Sequence, residues 1–457
     1  MRDLFLALSI IPFVPVALFR PQVGILVWVW ISVMAPHRLV FGFMYGQPFL
    51  NTIAIVTIIG ALINFKKMSM PSDRLLFKLI LLFFLWTVVT TIFAADFDLS
   101  LTDLTEFGKT LLLCFLALVL MQDRKWMLAL AAVFVLAIAF FGLKGGGFTL
   151  LSGGGSRVWG APFTAWGDNN GVSVGMLIVT PLLVALAFQV SNLLLRLAGA
   201  GLGMMNLFAL LGTHSRGGLV GLVAVFGWLA VRSKRKLMFA PVLVVGLLAG
   251  IAFMPENWTQ RMETIQTYEK DASAMQRINI WRFAVTYAVD HPVMGGGYDI
   301  FFHAPSYDDY DVPKAHRRAV HSNYFQVLAE HGFIGLFMYL AILATSVLQS
   351  HKWGRRAIAD ERTRGAGYLL YAVQFSVVGY AANGLTLSMA YLDLIYFVLA
   401  LQILLQSYVK NKLCPVEAAQ ARPEGGIRKM TEVSEPGDWR VAPDLKQFLK
   451  GITGDSR

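Results

Sequence analysis

Apolar runs of about 15 to 20 residues follow one another almost without pause through this chain, and a single long polar segment, residues 255–331, interrupts them. Inside a bilayer every backbone N–H and C=O must find its partner within the chain, so runs of this length dictate helices. Of the residues, 56% are hydrophobic and only 15% charged, against roughly 25% charged in an average soluble domain, which excludes an ordinary soluble protein. The fold class expected is an all-α polytopic membrane protein. About thirteen candidate spans can be marked, near 4–19, 22–36, 48–64, 75–94, 107–121, 126–143, 172–190, 193–212, 217–231, 237–254, 332–349, 366–384 and 388–409. Pro12, Pro15 and Pro21 interrupt the first two, so one is expected to be a broken half-span, leaving about twelve crossings. No basic flank or small-residue cleavage site marks the first run as a removable leader. Residues 1–410 thus form one membrane domain with 255–331 as its large loop, and the polar segment 411–457 is expected to be a disordered tail.

The short loops assign the two sides. Lys66, Lys67, Arg74, Arg124, Lys125, Arg196, Arg232, Lys234, Arg235, Lys236, Lys352, Arg355, Arg356, Arg362 and Arg364 fall in alternate connections, the pattern of a cytoplasmic face. The opposite connections are poor in base: one carries Asp96, Asp98, Asp103 and Glu106, another only Lys144 and Arg157. The long loop therefore faces away from the cytoplasm. A net charge of +11 reflects this topogenic set rather than a nucleic-acid surface, and anionic lipid is its natural partner. Cys114 in a span and Cys414 in the tail can form neither a disulfide scaffold nor a thiolate metal site.

The chemistry-bearing residues cluster in and around the long loop. It holds Arg277 and Arg282 on a helical stretch, the turn Gly295-Gly296-Gly297-Tyr298, and the run His321-Ser322-Asn323-Tyr324-Phe325. Ordered polar, basic and aromatic residues outside a bilayer point to a large amphiphilic substrate. Three ordered motifs carry a resemblance: Thr213-His214-Ser215-Arg216-Gly217-Gly218 at a span start, Arg277 and Trp281 followed by Asp290-His291-Pro292 and the glycine turn, and the His321 segment running to Gly332. Together they resemble the O-antigen ligase and polymerase superfamily over roughly residues 200–345. Upstream, Gly142 to Asn170 resembles the exosortase-associated branch of O-glycosylation ligases. The resemblance implies a GT-C-type glycosyltransferase that moves a glycan from undecaprenyl diphosphate to an acceptor hydroxyl on the periplasmic face of the inner membrane. It implies no metal and no other cofactor, His321 as general base, and Arg216 and Arg277 as the grip on the diphosphate. Many members have His-Asn where this chain has His321-Ser322-Asn323, so the asparagine contact falls to Ser322 or Asn323. The acceptor could be a lipid A-core sugar, a protein Ser or Thr, or a growing glycan, and a lipid-linked glycan flippase is the rival of another class.

Physical chemistry supports these roles and supplies rivals. A guanidinium offers a permanently charged planar fork for phosphate oxygens, and Arg216 at a span end can sit at the interface with little insertion cost. An interfacial anchor is the plainer reading of such an arginine. Arg277 and Arg282 lie five apart, about 140° around a helix, so one diphosphate cannot meet both; Arg282 is then a headgroup or structural contact. Ile278, Trp281, Val285 and Ala288 mark a face of that helix expected to lie against membrane or core. His321 would precede a helix, whose dipole favours the neutral imidazole a base requires. His331 before Gly332 reads as a cationic last turn with a glycine cap. Asp168 and Asn170 at a span entrance are candidate sugar contacts, as is Tyr298, although capping explains Asp168 equally well. Asp393 and Asn383 are polar groups within spans, and Lys109 is most simply a snorkelling lysine. The Asp308 to Asp311 run has the spacing of a metal-binding Asp-x-Asp pair, but solvated acidic loops beside Lys314, Arg317 and Arg318 are commoner. The triple glycines at 145–147 and 153–155 lack the strand-turn-helix context of a phosphate loop.

Overall fold

The computed structural model describes residues 2–232, 272–303, 305, 307, 310 and 319–413. Among these every regular element is a helix. The helices are α1 (Arg2–Ile10), α2 (Phe13–Phe19), α3 (Pro21–Met34), α4 (Phe49–Ile63), α5 (Leu75–Ile92), α6 (Phe97–Leu120), α7 (Arg124–Leu151), α8 (Asn169–Ala187), α9 (Leu193–Gly212), α10 (Arg216–Arg232), α11 (Ala272–Asp290), α12 (Asn323–Ala359), α13 (Arg364–Asn383) and α14 (Asp393–Leu413). Among the described residues, seven stretches are long and apolar enough to cross a membrane, counting α1 and α2 as one. The expected spans at 237–254 and the tail beyond Leu413 lie outside the described residues, as do Lys234, Arg235, Lys236, Lys314, Arg317 and Arg318.

Proline places the early breaks. The first span is interrupted between α1 and α2 at Ile11 and Pro12, and Pro21 occupies the first turn of α3, where its missing N–H costs nothing. Other boundaries depart from the sequence reading for reasons of capping. Asp96 accepts a hydrogen bond from the Leu99 amide at 3.0 Å and Asp98 sits in the first turn, so the acidic stretch read as a loop forms the opening turns of α6. Lys109 pairs there with Glu106 at 2.5 Å, both side chains exposed. The first glycine triplet, with Lys144, belongs to α7 rather than to a loop: at Gly146 any side chain would strike the Met205 carbonyl of α9.

The central element is α14, apolar almost all round and 83% buried over its span, whereas α9 is only 22% buried and turns most of its surface outward. Successive helices alternate in direction and collect their connections at two ends. At one end Ser69 N donates to Val119 O at 3.2 Å, Asp73 N to Ser407 Oγ at 3.1 Å, and Arg232 meets His351 at 3.0 Å. The described Lys and Arg of the topogenic set gather here. At the other end the 93–96, 152–168, 213–215, 319–322 and 384–392 connections meet, joined by bonds such as Asn323 N to Gly384 O at 2.7 Å.

A break in α12 shapes that second end. Gly332 has φ 68° and ψ −172°, closed to residues with a Cβ, and it ends the segment Asn323–His331 before the helix resumes. The carbonyls stranded there are satisfied by the glycine turn. Gly296 N donates to Ala329 O at 2.8 Å and Gly297 N to Glu330 O at 2.9 Å, while Phe333 N donates to Pro292 O at 2.9 Å. On its other side the turn receives Ala95 N at Gly296 O, 3.0 Å, and Ser100 Oγ at Tyr298 O, 3.0 Å. Asp299, at φ 56°, is hydrogen-bonded through its carboxyl to Asp103 of α6. His331 is not the surface cation expected. It is fully buried, its Nδ1 2.7 Å from Thr90 Oγ1, and a ring edge from Tyr298 packs on it at 4.6 Å.

A small separate core holds α11. Ile280, Phe283, Ala284 and Tyr287 bury against Phe301, Tyr307, Val320 and Ala329, with the Phe283 and Tyr307 rings stacked at 4.3 Å. Of the expected face, Ala288 is buried and Trp281 half-buried, while Ile278 and Val285 are exposed; the main partner of α11 is an aromatic cluster drawn from the loop itself.

Candidate active site

Four helix ends converge at the loop-bearing end. Asp168 caps α8, accepting from Gly171 N at 2.6 Å. The next two residues reach across to the α9–α10 connection: Asn169 Nδ2 donates to Thr213 O at 2.8 Å, and Ser215 Oγ donates to Asn170 Oδ1 at 2.9 Å. Ser215 Oγ in turn accepts from Gly218 N at 3.2 Å, which caps α10 and sets Arg216 in its first turn, half-buried. Behind it, Gly217 lies so close to Thr386 and Asn383 that any side chain there would collide with the Thr386 hydroxyl. The aspartate-asparagine run and the Thr213 to Gly218 motif, 45 positions apart from Asn170 to Ser215, are thus one hydrogen-bonded unit.

The third wall is the start of α12. Ser322 occupies its N-cap position without a side-chain capping bond. Asn323 is buried, and its amide is committed to the fold: Nδ2 donates to Tyr339 Oη at 3.2 Å and Oδ1 accepts from Met389 N at 2.6 Å. His321 stands just before the cap in a left-handed backbone conformation, φ 51°, half-buried. On α11, Arg277 is half-buried and Arg282 exposed, and one turn beyond Arg277 the Trp281 indole donates to Val320 O at 2.8 Å.

Electrostatics join three of these groups. His321 is held below its ordinary value of 6.5, first by burial, next by the positive charge of Arg277, with Asp168 opposing. His321 therefore lies within the fields of an arginine from α11 and a carboxylate from α8, and the lowered value favours its neutral imidazole. A neutral imidazole can take a proton, and a guanidinium beside it can receive anionic charge.

The charges of Arg277 and Asp168 act on His321, and a hydrogen bond ties Asn170 to Ser215, the residue before Arg216. Tyr298 points elsewhere, its ring buried between His331 and Tyr391 at 4.6 and 4.7 Å. Asp393 is occupied by Ser32 and Thr110, at 2.7 and 2.5 Å. Asp308, Asp309 and Asp311 lie outside the described residues. Sequence reasoning missed the 384–392 connection, whose backbone holds Asn323; Asn383 and Asp393, which flank it, carried a signal as polar residues in spans.

Comparison with known proteins bears on the same residues. Residues 200–340, which include Arg216, Arg277, Trp281 and His321, match the family model described as O-antigen ligase. Over that segment the chain is similar to the O-antigen ligase family. Residues 1–189, with Asp168 and Asn170, match a family of unknown function. An O-antigen ligase of Pseudomonas aeruginosa is 30% identical over 185 residues, covering 40% of this chain and 39% of that protein. The O-antigen ligase match thus contains both arginines and the histidine of the site, and the hydrogen bonds to Asn169 and Asn170 extend the site into the part beyond it.

Proposed function

We propose that this protein is an inverting, metal-independent glycan ligase of GT-C type that moves a glycan from undecaprenyl diphosphate to a hydroxyl of lipid A-core. The observation that carries the reading is a half-buried His321 on which the charges of Arg277 and Asp168 act, within the residues that match the O-antigen ligase family. The likeness to an O-antigen ligase of Pseudomonas aeruginosa favours a ligase over a polymerase, a protein O-glycosylation ligase or a flippase. In this proposal about twelve helices cross the bacterial inner membrane, the basic end lies in the cytoplasm and the site opens to the periplasm.

The chemistry is a single displacement. The acceptor oxygen bonds to the anomeric carbon as the bond from that carbon to the diphosphate oxygen breaks. The acceptor proton passes to the neutral imidazole of His321, and the electron pair leaves with undecaprenyl diphosphate. Arg216 and Arg277 bind that diphosphate and offset the charge that builds on it, a contribution strongest where water is excluded. Asp168 and Asn170 line the α8 edge, where sugar hydroxyls would pass. Turnover by the purified full chain tests this, with undecaprenyl diphosphate-linked oligosaccharide as donor and lipid A-core, a Ser/Thr peptide or a second lipid-linked glycan offered as acceptors. Transfer to lipid A-core is expected. Transfer confined to the peptide or to the second glycan would replace the acceptor, and movement of lipid-linked glycan without transfer would replace the enzyme with a flippase.

A further inference from the structure

We infer that Trp281 is a positioning residue for His321, so that α11 carries both a phosphate-binding arginine and the brace that sets the base beside it. The inference rests on the reading of His321 as the base. The indole brackets the histidine from both sides. Its Nε1 donates to the carbonyl of Val320, the residue immediately before His321, at 2.8 Å. Its ring stacks on Phe325, in the first turn of α12, with centroids 5.2 Å apart and planes 28° from parallel.

His321 needs such a brace. Its φ of 51° is one that a side-chain-bearing residue rarely adopts and keeps only where the surroundings over-determine it. On the downstream side Asn323 supplies the restraint, its amide N–H on Gly384 O at 2.7 Å and its side chain holding Met389 N. Upstream, the indole N–H on Val320 does so, and Val320 itself is buried in the small core around Phe283. Trp281 is only half-buried, and its one polar atom is spent on a loop carbonyl next to the histidine.

The helix that supplies this brace also supplies Arg277, four residues earlier and therefore on the same face. Ile280, Phe283 and Ala284 pin that helix into the aromatic core, so the guanidinium and the indole move as one body. The charged groups acting on His321 are Arg277 from α11 and Asp168 from the start of α8; burial first and Arg277 second lower the titration of the imidazole, and Asp168 opposes them. A donor gripped by Arg277 would thus be registered against the base through Trp281 rather than through the loop alone.

Trp281→Phe keeps the stacking ring and removes the N–H donor; Trp281→Ala removes both. Two measurements on the full chain in micelles separate the outcomes. Histidine-selective carbon NMR, with the His321 signal assigned by its loss in His321→Ala, reports the titration midpoint without any turnover. Turnover with undecaprenyl diphosphate-linked oligosaccharide and lipid A-core reports kcat and the donor KM. In Trp281→Phe the midpoint should move up toward 6.5, kcat should fall about 10- to 100-fold, and the donor KM should stay within about twofold. Wild-type midpoint and wild-type kcat in Trp281→Phe would overturn the inference, even with His321→Ala inactive. If the midpoint moves while His321→Ala remains active, Trp281 still positions the histidine and it is the base assignment that fails.

Discussion

Replacing Gly332 by alanine should destabilise the protein severely, and the cost can be worked from the break in α12. At φ 68° and ψ −172° the residue lies outside the regions open to alanine, and its added Cβ would stand 2.4 Å from Val293 O and 2.7 Å from Pro292 O. Holding a side-chain-bearing residue in such a conformation costs about 1 to 3 kcal/mol. Backbone oxygens cannot step aside as a side chain would, so relief requires moving the 292–293 strand of the loop, which loses the bond from Phe333 N to Pro292 O. That adds about 0.5 to 1.5 kcal/mol. The sum, about 1.5 to 4.5 kcal/mol, corresponds to a roughly ten- to thousandfold change in the folded-to-unfolded ratio. SDS-driven unfolding of the purified protein in mixed micelles, followed by tryptophan fluorescence, measures it. Gly201→Ala is the matched control, since nothing lies within 4 Å of its added Cβ and α9 is regular there, so it should be neutral or slightly stabilising. A Gly332→Ala protein that unfolds at the wild-type SDS fraction would refute the reasoning.

Further expectations concern charge and metal. Arg216→Lys should abolish most transfer although it keeps the charge, because an ammonium lacks the planar fork, and membrane assays at matched expression check this. Arg277→Ala should be much more damaging than the exposed Arg282→Ala; the reverse ranking would put the clamp on the other face of α11. Burial, and then the Asp103 carboxylate, push Asp299 up to about 7 from 3.8, so its protonated form favours the fold. That stabilisation is complete below pH 3.8 and lost as pH rises through about 7, so SDS resistance should decline across that range in wild type and much less in Asp299→Asn. Transfer should survive excess EDTA; loss restored by Mg²⁺ or Mn²⁺ would return attention to the Asp308 to Asp311 run.

The helical class was legible in the sequence because it follows from composition, whereas the candidate site residues were marked by the motifs that carry the resemblance. Apolar runs demand helices, and the polar residues that stand against that background, His321, Arg277, Asp168 and Asn170, are ones joined to the site by charge or hydrogen bond. Less legible was whatever depends on a partner distant in sequence. The aromatic core of α11 was not foreseen, because Phe283 and Tyr287 bury against Phe301 and Tyr307, whose ordering no periodicity reveals. Gly332 read as a helix end, but the helix resumes, since the carbonyls it strands are met by amides of the glycine turn. The 384–392 connection acts through backbone groups, Gly384 O and Met389 N, which leave no mark in residue type. Asp98, Asp103 and Glu106 looked like a loop because charge outweighs capping when sequence is read for spans.

The central claim is that the imidazole of His321 takes the acceptor's proton. Its direct test is the single-turnover rate of His321→Ala, folded and purified, against wild type with undecaprenyl diphosphate-linked oligosaccharide and lipid A-core, alongside donor binding to the same protein. Transfer should slow by about 10² to 10⁴, equivalent to roughly 3 to 5 kcal/mol of barrier, with donor binding largely retained, since the arginines hold the diphosphate. A His321→Ala protein that transfers glycan at near wild-type rate would contradict the account and leave the imidazole a structural group.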